Sequence, residues 1–139
     1  MSGVTRWVDD EDWRVLPRAL KALYQQIIEQ PSITKAGVIQ TGVDVLAEQH
    51  IDVEEADLDA DLDALAAAGW IVRDGSVIWV TSWFDTQRNL RNPKYLKAAV
   101  DAVKAIPKQA VREQAAQALR NAAVHGDDAG ILAGLPKPR

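Results

Sequence analysis

Between Asp12 and Gln30 the apolar residues Leu16, Leu20, Leu23 and Ile27 recur at steps of four, three and four, the spacing of one helix face. Pro17 suits a first-turn position, and Pro31 ends the run. Ser32 to Gln40 contains Gly37 and β-branched residues without helical spacing, which predicts a loop or a short extended piece. Thr41 with Asp44 forms a capping pair for a short helix reaching His50, whose inward side is Val43, Leu46 and Ala47. Asp52 with Glu55 repeats that chemistry at the start of a third helix, which runs to Ala68 and stops at Gly69. Two apolar runs, Trp70 to Arg73 and Ser76 to Val80, flank Asp74-Gly75, a pair that tolerates the positive φ of a tight turn; they predict a β-hairpin. Ser82 to Arg91 reads as polar loop. Asn92 and Pro93 then cap a helix to Ile106, with Leu96, Ala99, Val100 and Val103 on one side. Pro107 starts a weaker, Ala-rich helix that fades near Val124. From His125 onward 3 Gly and 2 Pro in 15 residues predict a flexible tail.

Three helices followed at once by a hairpin is the order of a winged helix-turn-helix domain. The expected fold is therefore mainly α with a small β-hairpin. It divides into a winged helix-turn-helix domain over residues 1–85, a basic loop and C-terminal helices packed on it over 86–124, and a tail over 125–139. A two-residue turn at Asp74-Gly75 would pair Arg73 with Ser76, Val72 with Val77, Ile71 with Ile78 and Trp70 with Trp79. Trp70, Val72, Val77 and Trp79 would then share one face, and Ile71, Ile78 and Val80 the other. Both faces are apolar, so one closes the core and the second is covered by the terminal helices, the N-terminal segment or a partner. The tryptophans suit a core or interface better than stacking on nucleotide bases.

A length of 139 residues fits one compact domain with a short appendage, and 47% hydrophobic with 26% charged residues is a globular composition. The sequence has no Cys, which excludes thiol catalysis, Cys-based zinc sites and disulfides, and its 2 His, His50 and His125, leave little for a metal cluster. Asp57-x-Asp59-x-Asp61-x-Asp63 imitates a calcium loop, but Leu62 stands where glycine is needed and Ala68 where the last carboxylate belongs. Ser32-x-x-Lys35 matches the nucleophile motif of penicillin-recognising enzymes without its companion motifs. With no phosphate-binding glycine loop, dinucleotide fingerprint or HExxH, a non-catalytic protein without cofactor or metal is expected. Met1 to Trp7 lacks the apolar core of a signal peptide, and the longest apolar run, Ala64 to Val72, is far short of a membrane span, so a cytoplasmic protein is expected.

The net charge of −4 is unevenly placed: residues 1–65 hold 5 basic and 14 acidic side chains, and residues 66–139 hold 11 and 6. A winged helix ordinarily reads DNA with its third helix. Here that helix carries Glu54, Glu55, Asp57, Asp59, Asp61 and Asp63 and no basic residue, so its approach to phosphate would be repulsive. Leu58, Leu62 and Leu65 form one apolar stripe on it; Val53, Ala56, Ala60, Ala64 and Ala67 form another nearly opposite, either packed on a further element or simply solvated. Positive charge lies later, in Arg88, Arg91, Lys94, Lys97, Lys104, Lys108 and Arg112 against the single acid Asp101. Lys94, Lys97, Lys104 and Lys108 fall in one quadrant of a continuous helix, opposite Leu96 and Val103, and make a row able to track phosphates.

Three stretches carry a family resemblance: Asp9-Asp10-Glu11-Asp12-Trp13 through Leu16-Pro17, then Leu23-Tyr24, then Ile33-Thr34-Lys35-Ala36-Gly37-Val38. It continues through Leu62-x-x-Leu65, Gly69-Trp70-Ile71-Val72, Asp74-Gly75 and Val77-Ile78-Trp79-Val80 to Trp83, Asn89 and Asn92-Pro93. Over roughly residues 9 to 106 the chain resembles phage replication-initiation proteins, the replisome organisers related to the DnaD-type N-terminal domain. The resemblance implies a winged-helix module that helps assemble a replication-initiation complex, with DNA, replication proteins and self-association among its contacts. Two functions are therefore expected in order. The first is phosphate-mediated, weakly sequence-specific DNA binding through Arg88, Arg91, Lys94, Lys97, Lys104 and Lys108. The second is a protein-interaction module that meets a replication or transcription protein through Asp57, Asp59, Asp61, Asp63, Trp70 and Trp79.

Overall fold

A computed structural model describes residues 11–49, 53–86, 88–123 and 130–135. The protein is mainly helical with a small antiparallel sheet. In chain order it runs α1 (Glu11–Arg14), α2 (Arg18–Ile28), β1 (Val38–Gln40), α3 (Val43–Glu48), α4 (Glu55–Ala67), β2 (Ile71–Asp74), β3 (Val77–Val80), α5 (Pro93–Lys104) and α6 (Gln109–Ala122). Short 3₁₀ turns cover Phe84–Thr86, Arg88–Arg91 and Ile131–Gly134. The expected roles of His50, Asp52 and His125 lie outside the described residues.

The helix expected from Asp12 to Gln30 is two helices. Pro17 disfavours helical geometry at Leu16, so the chain turns there, and Pro17 becomes the residue before α2 with ψ at 149°. α2 then buries Leu20, Leu23, Tyr24 and Ile27 as the periodicity requires. Beyond it Thr34 Oγ1 accepts from the Ala36 and Val38 amides at 3.2 and 3.3 Å, and the chain enters β1. The sequence predicts a loop or a short extended piece here; residues 38–40 form a strand because their amides and carbonyls find β3, with Val38 opposite Trp79 and Gln40 opposite Val77. Thr41 continues the pairing by donating to the Ser76 carbonyl at 2.9 Å. Its backbone is thereby committed to the sheet, so α3 starts one residue later, with Gly42 and not Thr41 at the cap.

α4 ends as expected. The Trp70 amide bonds the Leu65 carbonyl and Gly69, at φ +86°, bonds Ala66, the paired closure that needs a left-handed residue after a helix. The hairpin register differs from expectation: Asp74 pairs with Val77, Arg73 with Ile78, Val72 with Trp79 and Ile71 with Val80. The turn residues are Gly75 and Ser76, with positive φ only at Gly75, the sign pattern of a turn that takes glycine first. Two residues of slip leave each strand residue on its expected face, but they leave Trp70 outside the ladder, so it does not share a face with Trp79.

β3 is central, in the order β1-β3-β2, and the sheet is a wall between two cores. One face, with Ile39, Ile71, Ile78 and Val80, packs on Trp13, Leu23, Tyr24, Ile27, Leu46, Leu58, Leu62 and Leu65 of the first four helices. The other, with Val38, Val77 and Trp79, packs on Leu96, Ala99, Val100 and Val103 of α5 and Val111, Ala115, Ala116 and Leu119 of α6. The C-terminal helices thus cover the second hairpin face, as its double apolarity demands. α5 opens on Asn92, whose side chain accepts from the Lys94 amide at 2.9 Å. It ends at Lys104, two residues earlier than expected, and α6 begins only at Gln109. Residues 130–135 correct the expected free tail: Leu135 is buried, and Ile131 and Leu132 pack on the same core as α5. Among the described residues no helix is long and apolar enough to cross a membrane.

Candidate nucleic-acid interface

α5 packs by Leu96, Ala99, Val100 and Val103, which turns the opposite side of the helix outward. Lys94, Lys97 and Lys104 are all exposed there. At ~100° per residue they lie within about 80° of one another, along about 15 Å of helix. Asp101 falls inside the same row and pairs with Lys97 at 3.3 Å, both groups solvated. Among the described residues Lys94, Lys104 and the exposed Arg91 have no ion-pair partner. Arg91 stands at the end of the turn leading to α5; the Arg88 side chain lies outside the described part of the structure.

Lys108 does not extend the row. The break after Lys104 makes it the residue before α6, and its Cε lies 3.8 Å from where a Cβ on Gly75 would stand. It therefore sits at the hairpin turn. Arg112 is also drawn inward, donating from Nη1 to the Ile106 carbonyl at 2.8 Å. The row expected on a continuous helix loses Lys108 because the helix breaks between α5 and α6.

The fold adds a cation that spacing could not reveal. Lys35, in the turn before β1, places Nζ 5.2 Å over the ring centroid of Tyr95, which follows Lys94 on α5. Trp83 fixes that turn by donating from Nε1 to the Lys35 carbonyl at 3.1 Å. Tyr95 is half-buried, and desolvation raises its hydroxyl above the ordinary 10.0, so it adds no negative charge to the row near neutrality. Sixty residues separate Lys35 from Tyr95; the pairing of β1 with β3, the Trp83 anchor and the packing of α5 on the sheet bring them together.

The acidic elements lie on the other side of the sheet. α4 buries Leu58, Leu62 and Leu65, and exposes Asp57, Asp59 and Asp63, with Asp61 half-exposed. Ala56, Ala60, Ala64 and Ala67 are exposed too, so among the described residues the alanine stripe is not covered by another element of this chain. Arg73 of β2 bridges Asp59 and Asp63, the latter at 3.1 Å, and partly neutralises the acids closest to the sheet. Trp70 and Trp79 are separated. Trp70 packs edge-on against Trp13 and Tyr24, with centroids 5.8 and 5.6 Å away. Trp79 is 4% exposed and faces α5 and α6, so it presents no surface to a partner.

No family model, curated protein or solved structure matches the chain. What the site can do rests on its own chemistry. It offers a row of cations on the outer side of α5 and, near the start of the same helix, a further cation, Lys35, over the half-buried ring of Tyr95. Among the described residues no group of three His, Asp or Glu side chains is placed to hold a metal.

Proposed function

We propose that the protein is a non-catalytic DNA-binding protein of winged helix-turn-helix type, acting in DNA replication initiation in the manner of the phage replisome organisers it resembles. The order α2, β1, α3, α4, β2, β3 with the sheet order β1-β3-β2 supports the winged-helix reading. DNA is held by its phosphates on α5 and the turn before it, while α4 and the hairpin serve packing. The observation that carries this is the exposed row Lys94, Lys97 and Lys104, preceded by the exposed Arg91, on the layer opposite the acids of α4. Contacts of this kind position a protein on DNA and carry little sequence information.

Binding of labelled DNA at two salt concentrations tests it. With three or four phosphates neutralised, the log–log salt slope should be about −3 to −4. Changing Lys94, Lys97 and Lys104 together to Glu should abolish binding with the melting curve preserved. Affinity indifferent to salt, or to those three changes, sinks the reading.

A second reading is a module that binds a basic replication or transcription protein through α4. The exposed Asp57 and Asp63 beside the uncovered alanine stripe favour it, since such a surface steers toward cationic partners. Equal recovery of such a partner by the wild type and by a variant with Asp57, Asp59, Asp61 and Asp63 neutralised would remove it.

A further inference from the structure

We infer that the lysine row of α5 also takes α4 of a second copy of this chain, so that DNA and self-association exclude each other. This rests on the nucleic-acid reading above and adds the regulation of the same site. Among the described residues Lys94, Lys104 and Arg91 have no ion-pair partner, and neither have Asp57 and Asp61 of α4. One molecule cannot bring these groups together. α4 packs on one face of the sheet by Leu58, Leu62 and Leu65, and α5 packs on the other by Leu96, Val100 and Val103, so each helix turns its charges away from the other. A second molecule supplies the opposite charge to each face.

The two faces match in size and form. Ala56, Ala60, Ala64 and Ala67 are exposed along about 16 Å of α4, and the row from Lys94 to Lys104 covers about 15 Å of α5. At ~100° per residue the alanines lie within about 80°, with Asp59 and Asp63 on one border and Asp57 and Asp61 on the other. Alanine has no side chain beyond Cβ, so a second helix can come close. The lysine stems then lie across the stripe, and their ammonium groups reach the acids at its edges.

Like faces do not suit each other. Two copies of α4 would set acid against acid, and two copies of α5 lysine against lysine. The favoured contact is therefore head to tail, acidic layer on basic layer, which leaves one α4 and one α5 free at the ends for further copies. Carboxylates of α4 and phosphates of DNA seek the same ammonium groups. DNA thus disperses the assembly, and a high protein concentration displaces DNA.

The sequence has no Cys, so two single variants of the full chain report the contact: Ala60→Cys in the stripe and Asp101→Cys within the row. Mixed under mild oxidation at about 50 mM salt, they should crosslink to each other about 5-fold more than either does to itself, and the excess should vanish near 1 M salt, where charges are screened beyond ~3 Å. In sedimentation at low salt the wild type should form a concentration-dependent series that passes the dimer, and a saturating short duplex should return it to DNA-bound single chains. Asp57→Asn combined with Asp61→Asn should weaken association several-fold, with DNA affinity equal to or above that of the wild type. A monomer at every concentration, a statistical mixture of disulfides, or an assembly that bound DNA leaves intact overturns the inference and leaves the DNA-binding reading standing. Assembly through α4 and α5 with no DNA bound by the wild type or by the double Asn variant sinks both, since nothing then competes.

Discussion

The indole of Trp83 lies directly against the α-carbon of Gly37, leaving no room for a side chain: a Cβ there would stand 2.7 Å from Trp83 Cδ2. Gly37 also has φ +76°, which only glycine adopts without strain. Trp83 packs on both cores, so this contact joins the turn before β1 to the two layers at once. Gly37→Ala combines a left-handed alanine, at about 1–2 kcal/mol, with an overpacked contact, at about 1–3 kcal/mol. Urea unfolding should show a loss of about 2–5 kcal/mol. Pairing it with Trp83→Ala relieves the overlap but not the backbone strain, so the double variant should lose less than the two single losses added together. Strict additivity would mean that the two residues do not meet.

Much of this architecture was legible in the sequence, and its gaps have physical causes. Helical periodicity located α2, α4 and α5 because each buries one stripe, and the two apolar faces of the hairpin announced that it is covered on both sides. β1 carries three residues, too few for a pattern, and is a strand only because β3 offers it partners. The register of the hairpin followed Gly75 at the first turn position, which an Asp-Gly pair does not reveal by itself. In the site, exposed lysines on α5 could be read from the wheel. Lys35 could not, because its place over Tyr95 depends on strand pairing and on the Trp83 anchor, neither of which leaves a local signal.

Trp79 tests the covered hairpin face. Its Nε1 is buried with no hydrogen-bond partner among the described residues, so the indole N–H opposes folding where the rest of the ring favours it. Trp79→Phe removes the unsatisfied donor and keeps most of the apolar contact. Its stability should stay within about 1 kcal/mol of wild type, whereas Trp79→Ala should lose about 3–5 kcal/mol. Thermal unfolding of the two variants decides; equal, large losses would show that the N–H is satisfied in solution.

Leu135 tests the returning chain end. It is 4% exposed against the α5–α6 core, and Gly134 passes close enough to α5 that a Cβ there would be 3.5 Å from Val100 Cγ1. Leu135→Ala should lower stability by about 2–3 kcal/mol, as for other well-buried leucines. A free tail would tolerate the change without effect.

Asp101 tests whether the lysine row acts as a unit. It stands between Lys97 and Lys104 on the outer face of α5 and holds the Lys97 ammonium, with 58% of its side chain exposed. A solvated pair at four-residue spacing adds roughly 0.3–0.5 kcal/mol to the helix, so Asp101→Asn should barely move the melting curve. Binding should respond more. The variant removes a like charge from the approach of phosphate and releases Lys97, so DNA affinity should rise several-fold near 50 mM salt, with the salt slope steeper by up to about 0.9, one more phosphate neutralised. The gain should shrink toward about 1 M salt, where the screening length of ~3 Å falls below the spacing of the charges. Weaker binding by Asp101→Asn would mean that Asp101 holds Lys97 in its working position, and the row would then be an arranged set of contacts and not a sum of charges.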